Sequence, residues 1–209
     1  MEQTGDVPVA EKKVTGFFSE PFYRAFRALF RPITRALRAL GVTPNMITMA
    51  SLGLGMITGV EFARGHLWNG LIFGYLMGFS DIVDGQLAKE YGMATRFGGF
   101  LDSTIDRYNE FFIFAGLGIF FYTRGEPLWV MVSAVIFANS MVISYVKARA
   151  EVAGFDCNTG RLQRPERLAI IGLAVAFEGL LLKPLLGFLA VGTLFTVLRR
   201  VWYVKGQVG

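Results

Sequence analysis

The chain has 209 residues, 53% of them hydrophobic and 18% charged, with a mean hydropathy of +0.46. It is too apolar for an ordinary soluble domain and reads as one integral membrane domain, with no nucleic-acid partner expected. The net charge of +5 is unevenly spread, and the single cysteine, Cys157, excludes an intrachain disulfide.

Residues 1–16 are polar, lack a cleavable apolar core, and read as a mobile tail. Over residues 17–40, aromatics and leucines alternate with Arg24, Arg27, Arg31, Arg35 and Arg38 at spacings of three and four. Such an amphipathic helix suits an anionic membrane surface, with Pro32 allowing a bend, although a helix packed on its own domain fits the same pattern. Residues 41–209 then form the membrane domain.

Gly41 and Pro44 lead into a first spanning helix near Asn45 to Ala63, whose Ser51, Gly53, Gly55 and Gly59 permit close helix contacts. Further helices are expected near Trp68 to Lys89, Gly98 to Tyr122, Leu128 to Val152, Leu168 to Leu182 and Leu185 to Tyr203. The fold class expected is therefore all-α: a six-helix transmembrane bundle preceded by an amphipathic surface helix. The fifth of these helices is short for a span. Of the 21 Lys and Arg, only Arg64, Arg124 and Lys183 fall on the odd-to-even turns, and Arg107 lies within the third helix. The rest gather with the termini, the loop after the second helix and the polar connection 153–167, so that side is expected to be cytoplasmic.

The stretch SDIVDGQLAKEYGMATRFGGFLDSTID, residues 80–106, holds Asp81, Asp84, Asp102 and Asp106 between apolar runs. Ionised groups beside hydrocarbon are costly and face a cavity, a partner or an ion. With both flanks helical, Asp81 and Asp84 share one helix face and Asp102 and Asp106 another. Four acidic oxygens converging from two helix ends suit Mg²⁺ or Mn²⁺, and paired ions are a recurrent solution for displacement at phosphorus.

Asp81, Asp84, Gly85, Ala88, Gly98, Asp102 and Asp106 reproduce the pattern DxxDGxxA(R)x8GxxxDxxxD, with Lys89 where Arg is usual. The pattern resembles the signature of the CDP-alcohol phosphotransferase family. The resemblance implies attack of an alcohol hydroxyl on the β-phosphorus of a CDP-linked lipid, CDP-diacylglycerol or CDP-archaeol, with release of CMP. It implies that Asp81, Asp84 and Asp102 are metal ligands and that Asp106 is a ligand doubling as general base, with two ions. It further implies that Asn45, Thr48, Gly85, Lys89 and Thr95 line the CDP-lipid site, although Gly85 alone reads equally as a packing glycine and Asn45 as a helix cap. Lys89 keeps the charge of the usual Arg but not its planar fork.

Ser144 and Lys147 lie three apart in SYVKARAE, and Arg164 and Arg167 three apart in QRPERL. These segments resemble those of the phosphatidylinositol-phosphate synthase branch, which implies an acceptor phosphate held by them: inositol 1-phosphate, or glycerol 3-phosphate as the alternative. Ordinary positive-inside charge explains the same residues, and Arg149 and Arg161 read as interfacial anchors. The family is commonly dimeric, so a homodimer among membrane lipids is expected. Arg107 and Glu110 are assigned to structural pairing inside the bundle. A cation transporter built on the carboxylates is the competing class, and it would place acids near mid-bilayer in repeated halves.

Overall fold

A computed structural model describes residues 20–157, 159, 162 and 164–207, with side chains described from residue 30 onward. The polar tail, the side chains of Arg24 and Arg27, and Arg161 lie outside the described residues. Among these residues there are seven helices and no strand: α1 Glu20–Ala39, α2 Pro44–Ala63, α3 Leu67–Glu90, α4 Arg96–Tyr122, α5 Pro127–Val152, α6 Arg164–Ala176 and α7 Leu182–Lys205. Helices α2, α5 and α7 are long and apolar enough to cross a membrane. Helices α3 and α4 run for 24 and 27 residues but carry the acids. Helix α6 has 13 residues, about 20 Å of rise against the ~30 Å of a bilayer core.

Local chemistry sets the boundaries. Thr43 caps α2, its hydroxyl accepting from the Met46 N–H at 3.4 Å, with Pro44 in the first turn. Thr95 caps α4 by accepting from the Gly98 N–H at 2.9 Å. Gly92, at φ +63°, turns the chain out of α3 into the short loop between the two acid-bearing helices.

Each of α2 to α7 packs on two others, in the closed order α2, α4, α5, α7, α6, α3 and back to α2. The α2–α4 seam is the tightest. A Cβ on Gly116 would overlap the Gly59 backbone, and one on Gly55 the Asn109 side chain. Ser51, Gly55 and Gly59 therefore serve as the sequence suggests, whereas Gly53 has nothing against it. The ring end remote from the acids is filled by Phe62, Leu67, Leu71, Leu117, Phe121 and Leu186 with their neighbours. Helix α1 packs on α3 from outside, with the rings of Phe30 and Phe79 at 4.9 Å. There Glu90 accepts from the Thr34 hydroxyl at 3.1 Å and pairs with Arg31 at 3.3 Å.

A candidate metal and phosphate site inside the helix ring

Asp81 comes from α3, and Asp102 and Asp106 from α4, one turn apart. One carboxylate oxygen of each lies within 4.8 Å of the other two. The expectation that these acids stand at helix ends is corrected. Asp81 lies nine residues inside the end of α3 and Asp106 ten inside the start of α4, about 14 and 15 Å along the helices. The cluster thus lies well inside both helices rather than at their ends. Asp84 stands apart from this triad, buried, its Oδ2 accepting from the Thr48 hydroxyl at 2.6 Å. Helix α2 thereby fixes the fourth carboxylate.

The acids are met by one guanidinium. Arg164, at the first position of α6, places Nη1 2.6 Å from Asp81 Oδ2 and 2.5 Å from Asp106 Oδ1. Asp81 Oδ1 is buried with no hydrogen-bond partner, an arrangement that buried carboxylates rarely keep without a cation. A set of hard oxygen donors this close, with one orphaned oxygen, fits Mg²⁺ or Mn²⁺.

Beside the acids, Arg107 reaches across to α5, where its Nη1 donates to the Ser144 hydroxyl, while its Nη2 lies 3.6 Å from Asp106 Oδ2. Lys147, one turn further along α5, is half-buried and 3.9 Å from Glu151. Arg167 departs from expectation. Its guanidinium is buried against Glu110, to which Nη2 donates, and Nη1 donates to the Leu162 carbonyl at 3.0 Å. A guanidinium so enclosed locks α6 to α4 and presents no free edge to a ligand. Glu110 is thus paired inside the bundle, as expected, with Arg167 of α6 as its partner.

Residues expected around the nucleotide lie along the same mouth. Asn45 and Thr95 converge on Gly98, where a Cβ would meet Asn45 Oδ1 and Thr95 Oγ1 each at 3.0 Å. The cap of α2 is Thr43, which removes the capping role for Asn45. A Cβ on Gly85 would meet nothing within 4 Å, so it is not a packing glycine, and open space adjoins that backbone. Lys89 is exposed at the last turn of α3.

The sequence reading missed Arg200. Its Nη1 donates to the Ile143 carbonyl at 2.6 Å and its Nε to the Thr159 carbonyl at 3.0 Å, so it ties α7 to α5 and to the α5–α6 connection. The only signal was a cationic pair, Arg199 and Arg200, inside an apolar run.

The family model described as CDP-alcohol phosphatidyltransferase matches residues 41–201, the whole ring and its acids. The chain belongs to this family. Among curated relatives, the phosphatidylinositol phosphate synthase of Mycolicibacterium smegmatis is 34% identical over 194 residues, covering 88% of this chain and 87% of the relative. The synthase of Streptomyces avermitilis is 36% identical over 196 residues, covering 87% and 80%. Two crystal structures of the Mycobacterium tuberculosis phosphatidylinositol phosphate synthase are similar throughout. The one with CDP-DAG bound has a TM-score of 0.77 at 33% identity, covering 83% of this chain and 92% of that one. The one with manganese and citrate has a TM-score of 0.78 at 32% identity, covering 83% and 88%.

Proposed function

We propose that this protein transfers the phosphatidyl group of a CDP-lipid to inositol 1-phosphate, releasing CMP, at the well inside the ring. What carries the reading is the juxtaposition of the Asp81, Asp102 and Asp106 oxygens with Arg164, beside Ser144 on the neighbouring helix. Acids alone would serve any member of the family; a guanidinium and a hydroxyl against them suit an acceptor that itself carries a phosphate. The phosphatidylinositol phosphate synthase relatives support the same acceptor.

Asp81, Asp84, Asp102 and Asp106 would hold two Mg²⁺ or Mn²⁺ ions, which when bound neutralise the pyrophosphate and polarise the phosphorus under attack. Gly85 lets the nucleotide phosphates approach the α3 backbone. Asn45 and Thr95 frame the mouth, Thr48 steadies Asp84, and Lys89 guards the entry with a point charge. Asp106 takes the proton of the inositol hydroxyl. The new bond joins that oxygen to the lipid-side phosphorus, the bond from this phosphorus to the bridging oxygen breaks, and CMP carries away the electron pair. Arg164, Ser144 and Lys147 hold the acceptor phosphate, and Arg167 backs them by fixing α6 on Glu110.

In the same reading, residues 41–209 are one domain with six membrane segments, the short α6 completing its passage with the turns on either side. Residues 1–16 are a tail and residues 17–40 lie along the membrane surface. The termini and the mouth of the well face the cytosol, as the distribution of Lys and Arg supports. The lipid donor is CDP-diacylglycerol, with CDP-archaeol as the ether counterpart, and the enzyme works as a homodimer. The test is CMP release from CDP-diacylglycerol by the purified protein with Mg²⁺ and each acceptor in turn. Release dependent on inositol 1-phosphate is expected, and a strong preference for glycerol 3-phosphate overturns the assignment.

A further inference from the structure

Between α5 and α6, the described residues Asp156, Thr159 and Leu162 form a strap pinned to α7 at three points. At its start, the Asp156 N–H donates to Gln207 Oε1 at 3.1 Å and Gln207 Nε2 donates to the Asp156 carbonyl at 2.6 Å. Further on, the Thr159 carbonyl accepts from Arg200 Nε at 3.0 Å. Finally Leu162 lies against Gly192, where any Cβ would overlap its Cδ1. The three positions on or just past α7 that hold these residues, Gln207, Arg200 and Gly192, step back along the helix over about 22 Å. Leu162, two residues before the start of α6, thus meets α7 about 22 Å along the helix from the Asp156 contact.

The last pin is strained. Leu162 is the one non-glycine residue with positive φ among the described residues, at +65°, a conformation disfavoured for a γ-branched side chain and kept where surroundings enforce it. Its carbonyl accepts from Arg167, and Arg164, two residues on, bridges Asp81 and Asp106. We propose that Leu162, seated in the notch that Gly192 leaves in α7, is a positioning residue: it sets the depth at which Arg164 meets the carboxylates and the acceptor phosphate. The inference rests on the acceptor role given to Arg164 above. Any methyl at position 192 would have to displace the Leu162 Cδ1, and with it the side chain that fills the notch.

Cys157, the sole cysteine, is buried within the strap at 1% exposure and reports on it. Burial also pushes its thiol pKa up, so the seated strap should react slowly. In the full-length protein in detergent, Gly192→Ala is expected to speed maleimide labelling of Cys157 about tenfold. It should raise the KM for the phosphorylated acceptor about tenfold while leaving that for CDP-lipid unchanged. Leu162→Ala is expected to do the same by emptying the notch. The decisive comparison is the double variant: with Leu162 truncated, the methyl at Gly192 has nothing to displace, so the two changes together should cost no more than Leu162→Ala alone. The kinetic arm uses whichever phosphorylated acceptor the wild type prefers, so an error about inositol leaves this test intact. Additive effects, unchanged Cys157 labelling, or equal rises in both KM values would each overturn the proposal.

Discussion

Arg164 occupies the place that cations must share, and its removal should strengthen metal binding rather than weaken it. One nitrogen, Nη1, lies 2.6 Å from Asp81 and 2.5 Å from Asp106 in a largely buried setting. A hydrogen bond to a charged partner contributes about 1.5–3 kcal/mol, and since one nitrogen serves both acids, about one such contribution is displaced when an ion arrives. Replacing Arg164 by Gln removes that competitor and leaves the carboxylates repelling one another, both of which favour the ion. The dissociation constant for Mn²⁺ should fall by about ten- to a hundredfold. The measurement is electron paramagnetic resonance of free Mn²⁺ titrated with purified protein without substrates, so it does not depend on turnover. Arg164→Lys, which keeps the charge, should stay within a fewfold of wild type. Unchanged or weaker Mn²⁺ binding in Arg164→Gln refutes the reasoning, because Arg164 would then not be competing for those oxygens. CMP release should nevertheless fall in the Gln variant, through loss of its hold on the acceptor phosphate.

Asp106→Asn should reduce CMP release by about 10²–10⁴-fold, the usual contribution of a general base, with thermal stability unchanged or raised because a buried charge is gone. Glu110→Leu should lower stability by about 3–5 kcal/mol by leaving Arg167 buried without a partner, and Glu110→Leu with Arg167→Met should recover most of it; a melting series in detergent reads both. Gly116→Val should prevent assembly of the α2–α4 seam, where even one methyl meets the Gly59 backbone, and the protein should fail to elute as a monodisperse species on size-exclusion chromatography.

The sequence reading located α2 to α5 to within about two residues because Gly, Pro and Thr punctuate apolar runs there, and these local signals are the ones the structure uses at Thr43, Gly92 and Thr95. It failed at α6. That helix begins at Arg164, four residues ahead of the expected Leu168, and ends at Ala176 instead of Leu182. A polar segment bearing Arg164, Glu166 and Arg167 reads as a solvated connection. What holds it inside the ring is Glu110, 57 residues away in sequence, and no local pattern records that partner. The partners of Arg107 were likewise not readable, since Ser144 lies on another helix, 37 residues away. Of the site, the carboxylates were legible because their spacing is rigid; the division of labour between Arg164 and Arg167 was not, since it depends on which of two neighbouring guanidiniums the well encloses.

Acids this far inside the helices raise the question of a transport path, and the other end of the ring decides the matter. Below Asp106 the ring interior changes character within two turns: Asn109 and Glu110 are the last polar side chains on that face of α4, and Ile113, Phe114, Leu117, Phe120 and Phe121 follow. Phe62 of α2 and Leu67 and Leu71 of α3 close on them, along with Leu186 and Leu189 of α7, and the Gly59–Gly116 contact leaves no gap between α2 and α4. An ion passing through would shed its water against aromatic and aliphatic carbon with no oxygen to replace it, at a cost of several kcal/mol or more. Transporters avoid that cost by repeating the broken, ligand-bearing helix in both halves, whereas the clustered acids here come from α3 and α4 alone. The clustered acids at one end of the ring and the closed apolar packing at the other therefore suit a reaction site and not a path for ions.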